Sequence, residues 1–405
     1  MSIKVLQLVT AFPRSEEEVT ITPWLIQTLK GLKERGIDVT VAAPSYKGLG
    51  DQELWDIPVK RFRYFPGPWE DLTHDETTPV RLKRKPWYIM QAISLVLSSI
   101  PSMKRIARRV QPDIIHVHWP FPLALPGLAA AKAVDAKLVL KFYSAEMVFL
   151  RKRAKMLSWV LDRPVKAADL ILSISTYAGE LFNELYPGKE VEPMPASIVV
   201  PEDMQPSTEE DRAHPPEMLF VGRFVPRKGI EVLIRAFDMV RDRLECKLVI
   251  VGGGPLEEDL RKLASGMKHS GDIEFAIRIP EKELDRRYRE ASVFVLPAVF
   301  DEYGDTEGLG MVLIEALFRG TPVIGSRAGG IVDIVKDGET GLAVEPGDPE
   351  ELADAIEIML RDRELAAKLA EGGLRHVREN FSWNSVADRL VAHYERLTGK
   401  KANPR

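Results

Sequence analysis

Short β-branched segments alternate with longer amphipathic stretches along the chain, and this alternation limits the folds available to it. Strand-like segments of the first half include "IKVLQLV", "DVTVAAP", "DIIHVHW", "KLVLKFY" and "LILSIS"; those of the second half include "EMLFVGRF", "KLVIVGGG", "VFVLP" and "TPVIGS". Strands that alternate with helices pair in parallel, and helices then cover both faces of the sheet. Strands buried on both faces lose their polar alternation, as "VFVLP" does. The sequence predicts an α/β protein with doubly wound, parallel sheets.

A proline-rich, acidic segment at residues 201–216, "PEDMQPSTEEDRAHPP", interrupts the alternation. Because 405 residues are too many for one ordinary core, two domains are expected. We expect an N-terminal Rossmann-like domain at 1–200, a linker at 201–216, a C-terminal Rossmann-like domain at 217–380 and a C-terminal helix at 381–405, with the two domains facing a central cleft. The pattern leaves open whether the last helix packs on the second domain or crosses back to the first.

Composition excludes several classes of protein. A net charge of −4 at pH 7 argues against a general nucleic-acid-binding protein. The single cysteine, Cys246, permits no intramolecular disulfide, which is typical of a reducing compartment. The beginning of the chain lacks the blocks of a signal peptide, and no uncharged apolar run approaches the roughly 20 residues of a membrane helix. We therefore expect a cytoplasmic protein.

The segment "DTEGLGMVLIEALFRG" places Glu307 and Glu315 eight positions apart, with Gly308 and Gly310 directly after the first carboxylate. Glycines before a helix let backbone N–H groups approach a ligand, and the first turn of the helix attracts anions. Glu315 would lie about 12 Å further along the helix axis. That span resembles the distance from a sugar, across a diphosphate, to a ribose. The alternative is a plain glycine cap with two solvated carboxylates.

A second segment, "VGRFVPRKGIEVLIRAF", follows the first predicted strand of the C-terminal domain. Gly222 and Gly229 bracket a loop that carries Arg223, Arg227 and Lys228, and a helix follows. A strand, a glycine-bounded loop with cations and a helix are suited to holding a diphosphate. Solvated loop cations are the alternative for this segment alone. Taken together, the two segments predict a site for a sugar nucleotide.

These segments resemble the donor-binding half of the retaining glycosyltransferases of family four, which have the GT-B fold. The resemblance is carried by "GRFVPRKG", "VGGGPLEEDL", "IPEKELDRRYREASVFVLPA", "EGLGMVLIEA" and "GTPVIGSRAGGIVDIVKDGETGLAVEPGD", which cover most of residues 217–350. It implies that Arg223 and Lys228 hold the donor diphosphate, that Glu315 binds the ribose, and that Glu307 lies against the transferred sugar. The donor residues it implies are Gly222, Arg223, Lys228, Arg278, Ile279, Glu307, Gly308, Leu309, Gly310 and Glu315, with the backbone of Arg278 and Ile279 near the base.

The N-terminal domain resembles the same family more loosely. "AFPRSEEEVTITPWLIQTLKGLKERGIDVTVAAP" is similar to the family's opening strand, loop and helix, and "DIIHVHW" also matches. The resemblance implies an acceptor side built from Phe12, Pro13, His118 and Glu146. We expect His116 and His118 to lie on alternate faces of their strand, with His118 the one that faces the cleft.

The segment "KFYSAE" departs from the family pattern. Where many relatives have Thr-x-His-Gly-x-Asp, this chain has Tyr143 at the histidine position, Ser144 at the glycine and Glu146 at the aspartate. A tyrosine can donate a hydrogen bond to a sugar hydroxyl, although it is not an imidazole. Tyr143 is therefore a catalytic candidate, together with Glu307, Arg223 and Lys228.

The resemblance implies a retaining glycosyltransferase that moves a hexosyl unit from a nucleotide-diphosphate sugar to a glycan, lipid-linked or small-molecule hydroxyl. We expect no cofactor and no metal, because cations can replace the metal and Asp305 alone is a poor ligand set. One alternative is a catalytically altered sugar-nucleotide-binding protein, since Tyr143 replaces histidine. Another is a different GT-B enzyme, such as a sugar-nucleotide epimerase. A nicotinamide dehydrogenase is disfavoured because no Gly-x-Gly-x-x-Gly follows the first strand.

Residues 81–109 contain eight basic residues and no acidic residue, together with Trp87 and Tyr88. Basic clusters that flank an apolar stretch with aromatic residues suit an anionic membrane surface. The family resemblance points the same way, since relatives that modify lipid-linked acceptors use their first domain for this purpose. The alternative is a core helix with a solvated rim. We expect peripheral association with the inner face of the membrane.

Overall fold

The computed structural model describes residues 2–18, 21–74, 81, 85, 87–153, 158–198 and 204–403. The chain forms two compact units. The N-terminal unit comprises Met1–Ile174, Gly179–Ser197 and Trp383–Arg405, and the C-terminal unit comprises Ser175–Ala178 and Ile198–Ser382. Each unit contains a sheet whose strands are connected by helices, so the predicted α/β class is confirmed.

The described part of the N-terminal unit contains an eight-stranded sheet in the order β3-β4-β2-β1-β5-β6-β7-β8. Neighbouring strands are parallel except for the β3–β4 hairpin. The strands are β1 (Lys4–Leu8), β2 (Asp38–Pro44), β3 (Gln52–Leu54), β4 (Ile57–Phe62), β5 (Ile114–His118), β6 (Lys137–Phe142), β7 (Leu170–Ser173) and β8 (Glu192–Pro193). Within the described residues before position 201, the helices that can be delimited are α1 (Pro23–Glu34), α2 (Trp87–Val110), α3 (Pro120–Val134), α4 (Ser144–Arg153), α5 (Trp159–Ala167) and α6 (Thr176–Leu185).

The C-terminal unit has a six-stranded, all-parallel sheet within the described residues, in the order β11-β10-β9-β12-β13-β14. Its strands are β9 (Glu217–Arg223), β10 (Lys247–Gly253), β11 (Ile273–Ala276), β12 (Val293–Leu296), β13 (Val323–Ser326) and β14 (Leu342–Val344). Its helices are α7 (Ile230–Arg241), α8 (Glu257–Ser265), α9 (Glu281–Glu290), α10 (Met311–Phe318), α11 (Pro349–Arg361) and α12 (Arg363–Phe381).

The last helix, α13 (Trp383–Thr398), belongs to the N-terminal unit and packs against α1. Its apolar face supplies Leu390 and Tyr394 to the core of that unit. Gly31 of α1 permits the close approach, because a Cβ there would lie 2.8 Å from the Trp383 ring. Arg35, one residue beyond α1, also forms an ion pair with Asp388. Apolar packing thus fixes this helix, and polar contacts accompany it.

The described part of the expected linker, residues 204–216, packs against the C-terminal unit. Arg212 is buried, and its guanidinium donates hydrogen bonds to the carbonyl oxygens of Ala291 at 2.9 Å and Gly320 at 2.7 Å. Ser207 donates to the carbonyl oxygen of Arg319. The proline-rich composition predicted a boundary between domains. The hydrogen bonds of Arg212 and Ser207 show how residues 204–216 are attached to the C-terminal unit.

Each sheet reverses its strand order at one point, between β1 and β5 in the N-terminal unit and between β9 and β12 in the C-terminal unit. Ligands of doubly wound sheets bind outside the carboxyl ends of the strands at such a point. The loops that follow β9 and β12 are residues 224–229 and 297–310, and each contains part of a segment singled out in the sequence.

The loops after β9 and β12 are in direct contact. The Val299 N–H donates a hydrogen bond to the Arg227 carbonyl oxygen at 2.9 Å. Gly229 has a φ of +65° and lies so close to Pro297 that a Cβ at this position would overlap the Pro297 carbonyl oxygen. Only glycine meets both requirements, the positive φ and the close approach.

We expect Gly229→Ala to destabilise the C-terminal unit far more than Gly338→Ala. Gly338 has a similar φ of +72°, but nothing lies within 4 Å of the place that a Cβ would take there. Gly338→Ala should therefore cost only the strain of a positive φ, about 1–2 kcal/mol. Gly229→Ala adds the overlap with Pro297 and should cost at least about 2 kcal/mol more. Urea unfolding of both variants measures the difference, and equal losses would contradict this account of the loop contact.

A lysine is buried at the carboxyl end of β6. Lys141 is 2% exposed, and its ammonium group lies 5.3 Å from the centre of the Trp24 ring and 3.4 Å from the Pro195 carbonyl oxygen. No carboxylate among the described residues pairs with it. Burial lowers the pKa of Lys141 to about 7, and the charge of Arg389 contributes in the same direction. The charged form is therefore destabilised in the folded protein.

We expect Lys141→Met to stabilise the N-terminal unit more at pH 7.5 than at pH 9.5. The pKa of Lys141 is about 7 in the fold against an ordinary 10.5, so between these values the unfolded chain binds a proton that the folded chain does not. Wild-type stability then rises with pH in this window, and the advantage of methionine should shrink by about 2 kcal/mol between the two pH values. Lys137→Met, which replaces a half-exposed lysine at the start of β6, is the control. An advantage that does not change with pH would contradict the prediction.

Candidate active site

The loop after β9 presents Lys228 to Glu307. Pro226–Lys228 forms a 3₁₀ turn that ends at Gly229, the residue before α7. The Lys228 side chain is largely buried, and its ammonium group donates a hydrogen bond to the Glu307 carboxylate. Gly222, near the end of β9, lies beside this side chain, and a Cβ there would make an ordinary contact of 3.6 Å with Lys228 Cε. The glycine of "GRFVPRKG" that the loop requires is therefore Gly229, with its φ of +65°.

Two cations and one N–H group surround the Glu307 carboxylate. Arg227 Nη1 lies 3.7 Å from Glu307 Oε2, and the Leu309 N–H donates to the same carboxylate. Burial alone would raise the pKa of Glu307, but the charges of Lys228 and Arg227 and these hydrogen bonds lower it below its ordinary value. Glu307 is thus ionised at neutral pH although it is mostly buried.

A glycine pair supports the backbone around Glu307. Gly329 and Gly330 begin the 3₁₀ turn Gly329–Asp333, and the Gly330 N–H donates to the Glu307 carbonyl oxygen at 2.9 Å. A Cβ at Gly329 would overlap that oxygen, and a Cβ at Gly330 would overlap the Gly308 carbonyl oxygen. This role of "RAGG" was not predicted from the sequence, where the segment appeared only as part of the family pattern. Two adjacent glycines shortly after a strand were the available signal.

Helix α10 begins beside Glu307. Gly310 precedes it with a φ of +94°, and no side chain caps the first turn, in which the Leu313 N–H donates to the Gly310 carbonyl oxygen at 2.9 Å. Leu309 is buried, and its N–H is turned toward Glu307. Backbone N–H groups and the positive end of the helix dipole therefore stand next to the Lys228–Glu307 pair.

Glu315 lies on α10 one turn beyond its start and is bound by Tyr288 of α9. The Tyr288 hydroxyl donates to Glu315 Oε2 at 2.9 Å. Burial raises the pKa of Glu315 above its ordinary value, while the Tyr288 hydrogen bond and the charge of Arg319 act in the opposite direction. Tyr288 was not predicted from the sequence. It is the only aromatic residue of the strongly charged α9, a pattern that is equally typical of a core residue.

The remaining donor-side candidates lie along the same edge of the sheet but are less enclosed. Arg223 ends β9 and is exposed, and no carboxylate among the described residues pairs with it. Arg278 follows β11 with a φ of +54° and is exposed, while Ile279 is half-buried. The cation that accompanies Lys228 at Glu307 is therefore Arg227, which also approaches Asp305 at 3.8 Å.

The predicted acceptor-side residues Phe12 and Pro13 follow β1 and are buried. Phe12 lies in the core of the N-terminal unit. The carbonyl oxygens of both residues accept hydrogen bonds from the buried guanidinium of Arg61. His74 also contacts the Phe12 carbonyl oxygen at 3.0 Å. The backbone of this loop is thus fixed from within the unit.

The expectation that His116 and His118 lie on opposite faces of β5 is wrong. Their rings stack with centres 4.3 Å apart, and both residues are buried. Side chains two positions apart on a strand share a face, because the period of a strand is two residues. His118 contacts the Tyr143 hydroxyl at 3.0 Å and Gln7 Oε1 at 2.9 Å. Burial lowers the pKa of His116 to about 3 and that of His118 well below its ordinary value, so both rings are neutral.

Tyr143 and Glu146 are enclosed at the start of α4. The Tyr143 ring stacks on Trp119 with centres 4.5 Å apart and is buried. Glu146 accepts hydrogen bonds from the N–H groups of Tyr143 at 2.8 Å and Phe121 at 3.2 Å, so it caps α4 and ties it to the first turn of α3. Burial raises the pKa of Glu146 to about 8, although both hydrogen bonds lower it.

Within the described residues, no group of three or more histidine, cysteine, aspartate or glutamate side chains is arranged to hold a metal ion. The charged groups that converge in the C-terminal unit are instead two cations and two carboxylates, namely Arg227, Lys228, Asp305 and Glu307.

Two models of known protein families match successive parts of the chain. A model described as Glycosyltransferase Family 4 matches residues 24–198, and a model described as Glycosyl transferases group 1 matches residues 203–376. The chain is 28% identical over 386 residues to a GDP-mannose-dependent alpha-(1-6)-phosphatidylinositol monomannoside mannosyltransferase of Mycolicibacterium smegmatis, covering 93% of this chain and 94% of that protein. It is also 28% identical over 330 residues to a sulfoquinovosyl transferase of Arabidopsis thaliana, covering 75% of this chain and 60% of that protein.

Solved structures show the same fold at lower sequence identity. Sucrose-phosphate synthase from Thermosynechococcus elongatus superposes with a TM-score of 0.72 at 21% identity, covering 98% of this chain and 99% of that one. HepE of Anabaena, solved in complex with UDP, superposes with a TM-score of 0.71 at 16% identity, covering 97% of this chain and all of that one. These likenesses concern the fold, and they confirm the predicted GT-B type with its two Rossmann-like units.

The two family models follow one another along the chain and together account for most of its length. The relatives compared above are transferases by name, and the M. smegmatis protein is aligned over nearly its whole length. The site at residues 222–229 and 297–315 lies at the reversal of the strand order, where such folds bind ligands. The predicted membership is confirmed: the chain belongs to glycosyltransferase family 4 and is a glycosyltransferase.

Proposed function

We propose that this glycosyltransferase moves a hexosyl unit from a nucleotide-diphosphate sugar to a hydroxyl acceptor, with retention at the anomeric carbon and without a metal ion. The observation that carries the proposal is the Lys228–Glu307 ion pair beside the uncapped first turn of α10. It offers a cation, an ionised carboxylate and backbone N–H groups in one place. A ligand with both phosphates and sugar hydroxyls uses all three.

The proposed reaction breaks the bond between the anomeric carbon and the diphosphate oxygen and forms a bond to the acceptor oxygen. The electron pair of the broken bond stays on the diphosphate, and the acceptor proton passes to a phosphate oxygen on the same face. Lys228, Arg223 and the first-turn N–H groups of α10 neutralise the charge that grows on the diphosphate. Because these groups supply positive charge, the proposal does not require a divalent cation.

In this proposal Glu307 and Glu315 bind opposite ends of the donor. Glu307 accepts hydrogen bonds from hydroxyls of the transferred sugar, and its lowered pKa keeps it ionised for that task. Glu315, one turn into α10, accepts hydrogen bonds from the ribose. Because α10 begins only at Met311, the separation of about 12 Å expected for a continuous helix from Glu307 does not apply. In this proposal the base binds near Arg278 and Ile279, which lie beyond the end of β11.

The relatives suggest which donor and acceptor to test first. The mannosyltransferases of M. smegmatis and of Corynebacterium glutamicum are GDP-mannose-dependent by name, and their named acceptors are phosphatidylinositol mannosides. We therefore propose a lipid-linked or glycan hydroxyl as the acceptor and GDP-mannose as the first donor in a panel with UDP- and ADP-sugars. A sugar-nucleotide-binding protein without transfer is the second candidate, because Tyr143 hydrogen-bonds His118 where relatives have a histidine.

We expect Lys228→Ala and Arg223→Ala each to lower transfer at least about a hundredfold, because each removes charge that stabilises the leaving diphosphate. Arg235→Ala is the matched control, since Arg235 is an exposed arginine on α7 that pairs only with Glu231 within the described residues. Release of nucleoside diphosphate from the donor panel, with and without EDTA, gives the rates, and circular dichroism checks the fold. Undiminished transfer in both variants would contradict the charge-clamp proposal. Loss of activity in EDTA would contradict metal independence.

We also propose that α2 attaches the enzyme to an anionic membrane surface. Among the described residues, the first half of α2 exposes an apolar stripe consisting of Ile89, Met90, Ile93 and Leu97. Its second half exposes four basic residues that no described carboxylate pairs with, namely Lys104, Arg105, Arg108 and Arg109. Residues 82–84 and 86 of the predicted segment lie outside the described residues. None of the described helices has the length and apolarity needed to cross a bilayer.

We expect the protein to co-sediment with vesicles that contain phosphatidylglycerol and not with vesicles of phosphatidylcholine alone. Binding should fall as NaCl rises, because the basic residues contribute by charge. Replacing Ile93 and Leu97 together by aspartate should abolish it, since the apolar stripe then no longer enters the interface. Ile358→Asp, which alters an exposed isoleucine on α11, is the control. If vesicle binding changes neither with the NaCl concentration nor with the double replacement, the membrane proposal is contradicted.

A further inference from the structure

The carboxylate of Glu315 is held by a partner that the proposed function has not used. Tyr288 is fully buried on α9, and its hydroxyl donates to Glu315 Oε2 at 2.9 Å. A carboxylate has two oxygens, and this hydrogen bond occupies one of them. Glu315 Oε1 has no hydrogen-bond partner within the described part of the chain. The orientation of the free oxygen therefore depends on the tyrosine hydroxyl.

Tyr288 is itself fixed from several sides. Its ring packs on Phe294 of β12 with centres 5.6 Å apart, and the guanidinium of Arg319 lies 4.9 Å from its centre on another side. Thr321 Oγ1 donates to the Tyr288 carbonyl oxygen at 2.6 Å. The hydroxyl thus emerges from a rigid position, as a group that orients a ligand-binding side chain must.

Arg319 holds the same assembly from the far end of α10. Its Nη1 donates to the Glu315 carbonyl oxygen at 3.0 Å, and its Nε donates to Asp285 Oδ1 at 2.7 Å. Asp285 lies on α9, one turn before Tyr288. Arg319, one residue beyond α10, therefore also joins α10 to α9, while among the described residues the hydrogen bond to the Glu315 carboxylate itself comes from the tyrosine.

We propose that Tyr288 is a positioning residue that fixes the Glu315 carboxylate for the ribose hydroxyls and thereby sets the enzyme's preference for a ribonucleotide donor. The proposal rests on the function proposed above, in which Glu315 binds the ribose. A carboxylate with one oxygen held presents the other in a single orientation, so adjacent ribose hydroxyls find a preorganised acceptor. Without the tyrosine hydroxyl the carboxylate rotates freely. The difference in affinity between a donor with the ribose 2′-hydroxyl and a donor without it then becomes smaller.

The test is Tyr288→Phe, which keeps the ring and removes only the hydroxyl. We expect the KM for the nucleotide sugar to rise about tenfold, with kcat within about twofold of wild type, because the lost interaction acts on donor binding. The inhibition constants of the nucleoside diphosphate and of its 2′-deoxy form give the ribose preference, with the base set by the donor panel. We expect this preference to fall at least about fivefold in Tyr288→Phe.

Two further variants separate the possible outcomes. Tyr186→Phe removes a tyrosine hydroxyl that contacts Asp162 in the N-terminal unit, and it should change neither KM nor the ribose preference. Glu315→Gln tests the underlying function and should abolish the ribose preference. If Glu315→Gln leaves that preference intact, the proposed ribose role of Glu315 fails. If Glu315→Gln removes it but Tyr288→Phe matches wild type, the positioning role of Tyr288 is overturned while the proposed function stands.

Discussion

The ion pair between Lys228 and Glu307 joins the two loops on which the candidate site is built. Removing two charges from water is costly, and their attraction offsets that cost only when other groups complete the geometry. Here Arg227 and the Leu309 N–H provide the additional contacts, and the pKa of Glu307 falls below its ordinary value despite burial. The pair therefore keeps an ionised carboxylate next to a lysine at the N-terminus of α10, where the proposed diphosphate sugar would contact both side chains.

The fold explains why these residues meet. Strands β9 and β12 are neighbours in the sheet although β10 and β11 lie between them in the sequence, so their following loops leave the same edge side by side. Glycines then permit the approach: Gly229 lies against Pro297, and Gly329 and Gly330 lie against the backbone of the Glu307 loop. Sheet order brings the loops together, small residues set the distance, and charge decides what the site can bind.

Much of this was predictable from sequence because it depends on local pattern. Apolar strands, glycine-bounded loops and the carboxylate spacing indicated the fold and the Lys228–Glu307 site. Contacts between distant elements were not predictable: Tyr288 resembles an ordinary core residue until its hydroxyl is seen on Glu315, and Arg227 rather than Arg223 contacts Glu307. The arrangement of His116 and His118 was mispredicted although strand periodicity places them on one face. Local sequence patterns thus identified the loops of the candidate site, whereas tertiary packing determined which side chains contact one another there.

The central claim is that the donor diphosphate binds between the loops after β9 and β12. A crystal structure of the protein with a bound nucleoside diphosphate tests it most directly. The account predicts phosphate oxygens within hydrogen-bond distance of Lys228 Nζ and of the first-turn N–H groups of α10, with the ribose hydroxyls at Glu315. A diphosphate bound at another edge of the sheet, with the Lys228–Glu307 pair undisturbed and Glu315 without a ligand, would contradict it.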